Sequence, residues 1–321
     1  MIKTIIYLLF MTLIEIICFH FYINYLKKKQ YTQVVREAGP KSHQIKNGTP
    51  TAGGIIILIF IIINYIIVKL INRLSFNIND LIFILSIILF GLLGLFDDLN
   101  IINKKNNSGL TPKNKIIVEI IFSFLIFILL KINNYNNSLV IGNFEISLSF
   151  FSILFVMFYI IAWSNSFNIT DGLDGLAGNL SLSVLLGMFI IGKVEKNELL
   201  VVTSIVIFFS IIAFLCFNFH PALVFMGNVG SHAIGSAIAI TAILSKNEFY
   251  IGIFGLVFVF ETLSVILQVL YFRKTKGKRL FKMAPFHHHL EIVGYNEGSI
   301  SIILVLISLL LVIISLLMKG I

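Results

Sequence analysis

Charged residues are scarce in this sequence. Asp, Glu, Lys and Arg make up only 12% of its 321 residues, whereas soluble domains carry about 25%. Hydrophobic residues make up 58% and occur in long runs, so the surface that they form must be solvated by lipid. The composition excludes a soluble globular protein.

Cysteine is nearly absent as well. Cys18 and Cys216 each lie inside an apolar run and are far apart in the sequence. They predict neither a disulfide framework nor a metal site, and we interpret both as packing residues. The first apolar run lacks a small-residue cleavage site, so we interpret it as a first membrane span and not as a removable signal peptide.

Ten apolar windows have approximately the length that a helix needs to cross a bilayer, about 20 residues. They lie at about 4–26, 52–71, 79–96, 116–132, 148–165, 175–192, 199–217, 229–245, 249–271 and 299–318. The windows predict an all-α, polytopic membrane protein of about ten transmembrane helices, in which residues 1–321 form a single domain.

Positive charge is distributed unevenly between the two faces of this predicted bundle. Sixteen of the 24 lysines and arginines fall in loops at about 27–51, 97–115, 166–174, 218–228 and 272–298. Lysine and arginine accumulate in cytoplasmic loops, so these loops are predicted to be cytoplasmic and both termini are predicted to lie outside. The membrane thereby explains the net charge of +9, and no nucleic-acid partner is expected.

Four of the five aspartates fall on the same predicted face. Asp97 and Asp98 end a span in GLLGLFDDLN, and SNSFNITDGLDGLAG places Asn168, Asp171 and Asp174 three residues apart, on one side of a helical turn. Adjacent carboxylates at a membrane surface are costly unless they are solvated, paired or bound to metal. The oxygen atoms of these side chains are ligands that suit Mg²⁺. For Asp97 and Asp98, the alternative interpretation is a helix end solvated by water.

Two further polar segments flank spans on this face. FNFHPALVFMGNVGSHAIG, residues 217–235, carries Asn228 beside two glycines, and KNGTPTAGG, residues 46–54, begins with Lys46. Lysine, hydroxyl and backbone N–H groups of the second segment suit phosphate, and Lys113 and Lys115 add cationic donors. For the segment around Asn228, the alternative is that its small residues only pack against other helices. For the lysines, the alternative is that they are ordinary cytoplasmic-loop residues.

The longest basic loop ends in MAPFHHHLE, which contains His287, His288 and His289. Adjacent histidines cannot easily converge on one zinc ion. We therefore prefer an interpretation in which they donate to a diphosphate and one of them pairs with a carboxylate. A solvated histidine tract remains the alternative.

These motifs, in this order and on this face, resemble the phospho-N-acetylmuramoyl-pentapeptide transferase family of the polyprenyl-phosphate N-acetylhexosamine-1-phosphate transferase superfamily. The resemblance extends from Lys46 to Glu291. GTPTxGG and PxHHHxE distinguish this family from sister transferases that use other sugars.

The resemblance implies a Mg²⁺-dependent enzyme of the bacterial cytoplasmic (inner) membrane, with its active site on the cytoplasmic face. Its substrates would be UDP-N-acetylmuramoyl-pentapeptide and undecaprenyl phosphate, and the enzyme would be surrounded by membrane lipid. Its products would be the first lipid intermediate of peptidoglycan synthesis and UMP. Asp97 or Asp98 would orient or deprotonate the lipid phosphate, which attacks the β-phosphorus. The oligomeric state is left open, and a homodimer is compatible with it.

The resemblance also assigns site positions by motif. Catalytic positions are Asp97, Asp98 and His287. Metal positions are Asp97, Asp98, Asp174 and Asn228. Substrate-binding positions are Lys46, Thr51, Lys113, Lys115, Asn168, Asp171, Asp174, Asn218, His288 and His289.

One metal position departs from the family pattern. The family reads MGDxGS, whereas this chain has Asn228, and His232 replaces the usual leucine of that motif. Three interpretations are open: an active enzyme in which Asp97, Asp98 or Asp174 carries more of the metal, a weakened enzyme, or an inactive or engineered variant. An active enzyme could not form a covalent phospho-enzyme at residue 228.

Two other functions compete with this interpretation. A sister transferase would use another UDP-sugar. A secondary transporter is suggested by Glu15, His20 and Glu261, because ionisable residues inside spans are costly and usually functional. Transporters, however, place polar groups near mid-membrane and often contain inverted repeats, whereas the polar residues here concentrate at one face and no repeat is evident.

Overall fold

The structure, a computed structural model, describes residues 2–32, 46, 48–104 and 109–321. Within these residues there are twelve α-helices and one antiparallel pair of strands. The helices are α1 (Ile2–Lys29), α2 (Gly54–Ile71), α3 (Ile78–Lys104), α4 (Pro112–Ile132), α5 (Ser152–Thr170), α6 (Leu176–Val194), α7 (Glu198–Asn218), α8 (Gly227–Leu244), α9 (Glu248–Phe254), α10 (Leu256–Lys274), α11 (Phe286–Val293) and α12 (Glu297–Lys319). The strands are β1 (Ser138–Ile141) and β2 (Phe144–Ser147).

Nine of the described helices are long and apolar enough to span a membrane, namely α1, α2, α3, α5, α6, α7, α8, α10 and α12. Helix α4 matches a tenth predicted window and is 21 residues long, but Lys115, Glu119 and Lys131 make it less apolar. The window predicted at 249–271 consists of two helices, α9 and α10, which meet at Gly255. The all-α polytopic architecture is thus confirmed.

Helix α8 is the centre of the bundle. Every residue from Val229 to Ile243 is buried, and its glycines, serines and alanines let α3 and α5 approach closely. At Gly94 of α3, a β-carbon would overlap the backbone carbonyl of Asn228. This contact brings the carboxyl-terminal part of α3 against the first turn of α8.

The two chain ends lie at one end of the bundle. Thr4 in α1 hydrogen bonds Asn72 after α2 over 3.1 Å, and Lys319 of α12 forms an ion pair of 2.7 Å with Glu195 after α6. The predicted polar loops lie at the other end. Of those loops, residues 33–45, 47 and 105–108 fall outside the described part of the chain.

Outward-facing side chains explain the long apolar runs. In α1, the exposed residues Ile2, Ile6, Leu9, Leu13 and Ile17 recur every three or four positions. This spacing forms a stripe along one side of a helix, while the opposite side packs into the bundle. The stripe is the surface that lipid solvates.

Candidate active site

Asp98 joins the end of α3 to the beginning of α8. Its Oδ1 accepts the backbone N–H of Asn228 over 3.0 Å, and its Oδ2 accepts that of Val229 over 3.1 Å. These are N–H groups of the first helical turn, which have no intrahelical partner and favour a negative charge. The preceding residue, Gly227, has φ +72°, and a β-carbon there would lie 2.6 Å from Asp98 Oδ2. Glycine is therefore required for Asp98 to cap α8.

Asp97 receives hydrogen bonds from three separate segments. Its Oδ1 accepts the backbone N–H of Leu110 over 2.6 Å. Its Oδ2 accepts the Asn228 side-chain amide over 3.1 Å and lies 3.3 Å from Nζ of Lys115. In turn, Oδ1 of Asn228 accepts a 2.6 Å hydrogen bond from the amide of Asn168. Helices α3, α4, α5 and α8 thus converge on one carboxylate.

Asp171 lies in the turn between α5 and α6, where negative charge is in excess. Burial, together with the charges of Asp98 and Asp174, raises the pKa of Asp171 to about 7, against the opposing effect of Lys46. Two carboxylates that share a site disfavour each other's charged form. This part of the site would be stabilised by a further positive charge.

Asp174, in the same turn, belongs to an ionic cluster with Lys46, His220 and Glu297. Nζ of Lys46 lies 2.8 Å from Asp174 and 2.7 Å from Glu297, and His220 Nδ1 lies 2.9 Å from Asp174. Burial alone would raise the pKa of Asp174, but Lys46, the N–H of Ala222 and His220 hold it below its ordinary value. In the described residues, Asp174, His220 and Glu297 are also spaced closely enough to hold a metal ion.

The three histidines have three different environments. His287 is fully buried, and its Nδ1 lies 3.1 Å from Oε2 of Glu261. A β-carbon at Gly172 would clash with Nε2 of His287, so this histidine borders the Asp171 turn. His288 pairs with Glu291 over 2.7 Å. His289 accepts the backbone N–H of Lys282 over 3.2 Å, away from the other two.

Asn218 and Thr51 support the loops around the site. Oδ1 of Asn218 accepts the N–H of Gly175 over 3.0 Å, and its amide donates to the Val224 carbonyl over 2.8 Å. Buried Thr51 belongs to a segment that hydrogen bonds the 225–226 backbone through Gly53 and Gly54. Both residues shape the site through the backbone. Lys113 is exposed in the first turn of α4.

The structure therefore brings many of the predicted residues into neighbouring groups at one end of the bundle. Asp97, Asp98, Lys115, Asn168 and Asn228 form one group. Lys46 and Asp174 form a second. Asp171 is influenced by charges in both groups, and His287 borders its turn.

Three charged or titratable residues of this region, His220, Glu297 and Glu119, are not predicted as site residues from the sequence. His220 stands two residues after Asn218, and Glu297 begins the last helix. Neither has a local signal, because each acquires its role only through contact with Asp174. Glu119 did have a signal: it is a carboxylate inside a predicted span, and such residues are seldom neutral for function.

The ionisable residues that suggested a transporter have local explanations. Both oxygens of Glu15 accept the hydroxyl of Ser210 at 2.8 Å. Glu261 pairs with His287 beside the site. His20 is exposed on the outer side of α1. They do not form a common path.

Comparison with known proteins identifies the family of this chain. Residues 81–246 match Glycosyl transferase family 4. The phospho-N-acetylmuramoyl-pentapeptide-transferase of Listeria monocytogenes is 37% identical over 287 residues, covering 89% of this chain and 88% of the relative. The proteins of the same name from Staphylococcus saprophyticus (41% over 281 residues, 86% of each chain) and Staphylococcus epidermidis (40% over 301 residues, 92% of each) are similarly close. The chain belongs to the phospho-N-acetylmuramoyl-pentapeptide-transferase family.

Proposed function

We propose that this protein transfers phospho-N-acetylmuramoyl-pentapeptide from UDP to undecaprenyl phosphate, releasing UMP and forming the first lipid intermediate of peptidoglycan synthesis. The observation that carries the proposal is the meeting of Asp97, Lys115, Asn168 and Asn228 from four helices at one end of a membrane bundle. Phosphoryl transfer needs positioned groups and compensating charge more than covalent chemistry from the protein. This cluster offers both.

Mg²⁺ is the cofactor that we assign to the aspartate side of the site. Asp97, Asp98 and Asp171 supply oxygen donors, which a hard divalent cation prefers. Burial, and then the neighbouring charges of Asp98 and Asp174, raise the pKa of Asp171 to about 7, so a nearby cation would favour its charged form. When bound, the ion would neutralise charge on the diphosphate.

The group of Asp174, His220 and Glu297 suits Mg²⁺ less well. It includes a histidine nitrogen, and the Lys46 ammonium already lies 2.8 Å from Asp174 and 2.7 Å from Glu297. A lysine held by two carboxylates occupies the place that a metal cation would take. We therefore assign Lys46 to binding the substrate diphosphate from this position.

Asp97 is the residue that we assign to the acceptor. Backbone N–H groups of α8 hold both oxygens of Asp98 in place, whereas Oδ2 of Asp97 has side-chain partners that substrate can replace. Asp97 accepts the proton of the lipid phosphate or orients its oxygen. That oxygen attacks the β-phosphorus, and the bond to UMP breaks as Lys46 and Lys115 balance the charge.

The active site is proposed to face the cytoplasm in the bacterial cytoplasmic membrane. The uneven distribution of lysine and arginine supports this orientation. Labelling of single introduced cysteines in intact cells, at residue 193 and at residue 278, tests it. Residue 193 should react with an impermeant thiol reagent and residue 278 should not.

A UMP-release assay in detergent tests the function. Purified protein is given undecaprenyl phosphate and either UDP-N-acetylmuramoyl-pentapeptide or UDP-N-acetylglucosamine, with and without Mg²⁺. UMP release with the pentapeptide substrate and Mg²⁺ is expected. Release only from UDP-N-acetylglucosamine would assign a sister transferase, and no release from either would refute the proposal.

A further inference from the structure

A largely buried row of polar residues extends from the aspartate group into the bundle. We call it the polar seam, and it consists of Lys115, Glu119, Ser164, Asn165 and His232. It begins at Lys115, whose ammonium lies 3.3 Å from Asp97. One turn later in α4 is Glu119, which is only 1% exposed. Residues four apart are neighbours on a helix surface, so Lys115 and Glu119 lie on one side of α4.

Helices α5 and α8 complete the surroundings of Glu119. The amide of Asn165 donates to Oε1 of Glu119 over 2.9 Å. Nδ1 of His232 lies 3.8 Å from the same oxygen and 2.7 Å from the hydroxyl of Ser164. His232 follows Asn228 by one turn of α8, and Asn165 precedes Asn168 by one turn of α5. The seam therefore continues directly beneath the residues that hold Asp97.

A carboxylate at this depth needs a compensating partner. Burying a charge in the spanning region is costly unless it is paired. Asn165 supplies a neutral hydrogen bond, and the cation next to Glu119 along α4 is Lys115. Lys115 thus has one carboxylate in contact, Asp97 on α3, and a second, Glu119, one turn further along its own helix.

We propose that Glu119 is a positioning residue of the transferase, which holds the Lys115 ammonium at Asp97. The proposal rests on the proposed function, because it assigns Lys115 to charge balance during transfer. Glu119 itself is buried and is not assigned a contact with substrate. It acts by restricting where the flexible lysine side chain places its charge.

Glu119→Gln is the test variant, because glutamine keeps the shape and an oxygen that can accept from Asn165. We expect kcat for UMP release to fall about tenfold, or about 1.4 kcal/mol of transition-state stabilisation, with little change in KM and in the thermal unfolding midpoint. Glu15→Gln is the matched control: it replaces another buried carboxyl, one that bonds Ser210, by the same amide, and it should leave kcat unchanged.

A double-mutant cycle identifies the route of the effect. If Glu119 acts through Lys115, Glu119→Gln should cost nothing further in a Lys115→Gln background, because residues that share one interaction are not additive. Independent, additive losses would overturn the proposal. So would normal kcat in Glu119→Gln, or a loss that simply follows reduced thermal stability.

Lysine labelling gives a readout that does not depend on turnover. A water-soluble acylating reagent should modify Lys115 severalfold faster in Glu119→Gln than in the parent protein, with exposed Lys113 on the same helix as the internal reference. Unchanged labelling would refute positioning by Glu119 even in a fully active enzyme. Faster labelling in a protein that releases no UMP would instead refute the proposed function and leave the Glu119–Lys115 contact established.

Discussion

The side-chain nitrogen of Asn228 lies 3.1 Å from Oδ2 of Asp97, so residue 228 donates a hydrogen bond to the carboxylate next to it. Its carbonyl oxygen is engaged by Asn168 over 2.6 Å. A carboxylate at this position would repel Asp97 unless a cation lay between them. In this chain, therefore, the Asn228 side chain bridges α5 to α3 through hydrogen bonds, and a cation that binds Asp97 would compete with the Asn228 amide and with Lys115.

Asn228→Asp should strengthen the response to Mg²⁺. The added charge should lower the Mg²⁺ concentration for half-maximal UMP release, since cation affinity depends on the number of charged ligands. Without divalent cation, the same variant should unfold at a lower temperature, because two carboxylates then face each other. Magnesium titrations of activity and of thermal unfolding measure both effects. An unchanged titration would place the metal away from residue 228.

Asp97→Asn and Asp98→Asn should differ in stability but not in their loss of turnover. Both should lower kcat by several orders of magnitude. Asp98→Asn should also destabilise the fold by about 0.5–2 kcal/mol, because the first turn of α8 loses its charged cap. Differential scanning fluorimetry of the two detergent-solubilised variants tests the difference. Equal stability, or near-normal turnover in both, would contradict these assignments.

The grouping of Asp97, Asn168 and Asn228 followed from the sequence, because alternation of spans puts every second loop on one face. The apolar windows also predict that these residues lie close to the membrane surface, since each motif adjoins the end of a window. Their partners could not be predicted in the same way. Asp98 caps α8 only because Gly94 lets α3 touch the first turn of that helix, and no local pattern reports a contact across 130 residues.

The histidine motif shows the same limit at shorter range. Consecutive residues of an α-helix point about 100° apart, so the helical conformation of residues 286–293 gives the three histidines different polar partners, although the rings of His287 and His288 remain in edge contact at 4.3 Å. The prediction that one histidine pairs with a carboxylate is confirmed by His287 and Glu261. His288 also pairs with Glu291, three residues along the same helix, whereas the pairing of His287 with Glu261 depends on the packing of α10 beside α11, which the sequence does not encode locally.

Lys46→Gln should weaken nucleotide binding more than it slows transfer. Lys46 is held by Asp174 and Glu297, residues that are contributed by distant parts of the chain, and it is assigned to the diphosphate. KM for the UDP substrate should rise by one order of magnitude or more, in the range of a charge-assisted hydrogen bond to phosphate, about 1.5–3 kcal/mol. Steady-state kinetics separate KM from kcat.

Lys193→Gln provides the control for Lys46→Gln, because Lys193 is exposed at the end of α6 that lies on the opposite side of the bundle. It removes the same charge and should leave KM unchanged. Glu297→Gln should show a smaller rise than Lys46→Gln, since it loosens the lysine but keeps its charge. A larger rise for Glu297→Gln would mean that the carboxylate itself contacts substrate.

Asp171 should make the stability of the metal-free protein depend on pH. Its pKa is about 7 in the folded protein and about 3.9 in an unfolded chain, so between these values the folded state binds the extra proton. Its contribution to stability is then complete below about pH 4 and is lost as the pH rises through 7. Thermal unfolding midpoints in detergent without divalent cation should fall from pH 5.5 to pH 8.5.

Asp171→Asn should flatten this decline, because the amide has no proton to lose. Asp174→Asn is the comparison: the pKa of Asp174 is held below its ordinary value, so that carboxylate is charged throughout the tested range. Its replacement should lower the midpoint at every pH and only partly reduce the decline, because loss of the Asp174 charge lowers the pKa of Asp171 without removing the titrating carboxyl. If Asp171→Asn retains the full decline, another group titrates, and the excess of negative charge around Asp171 is compensated within the protein.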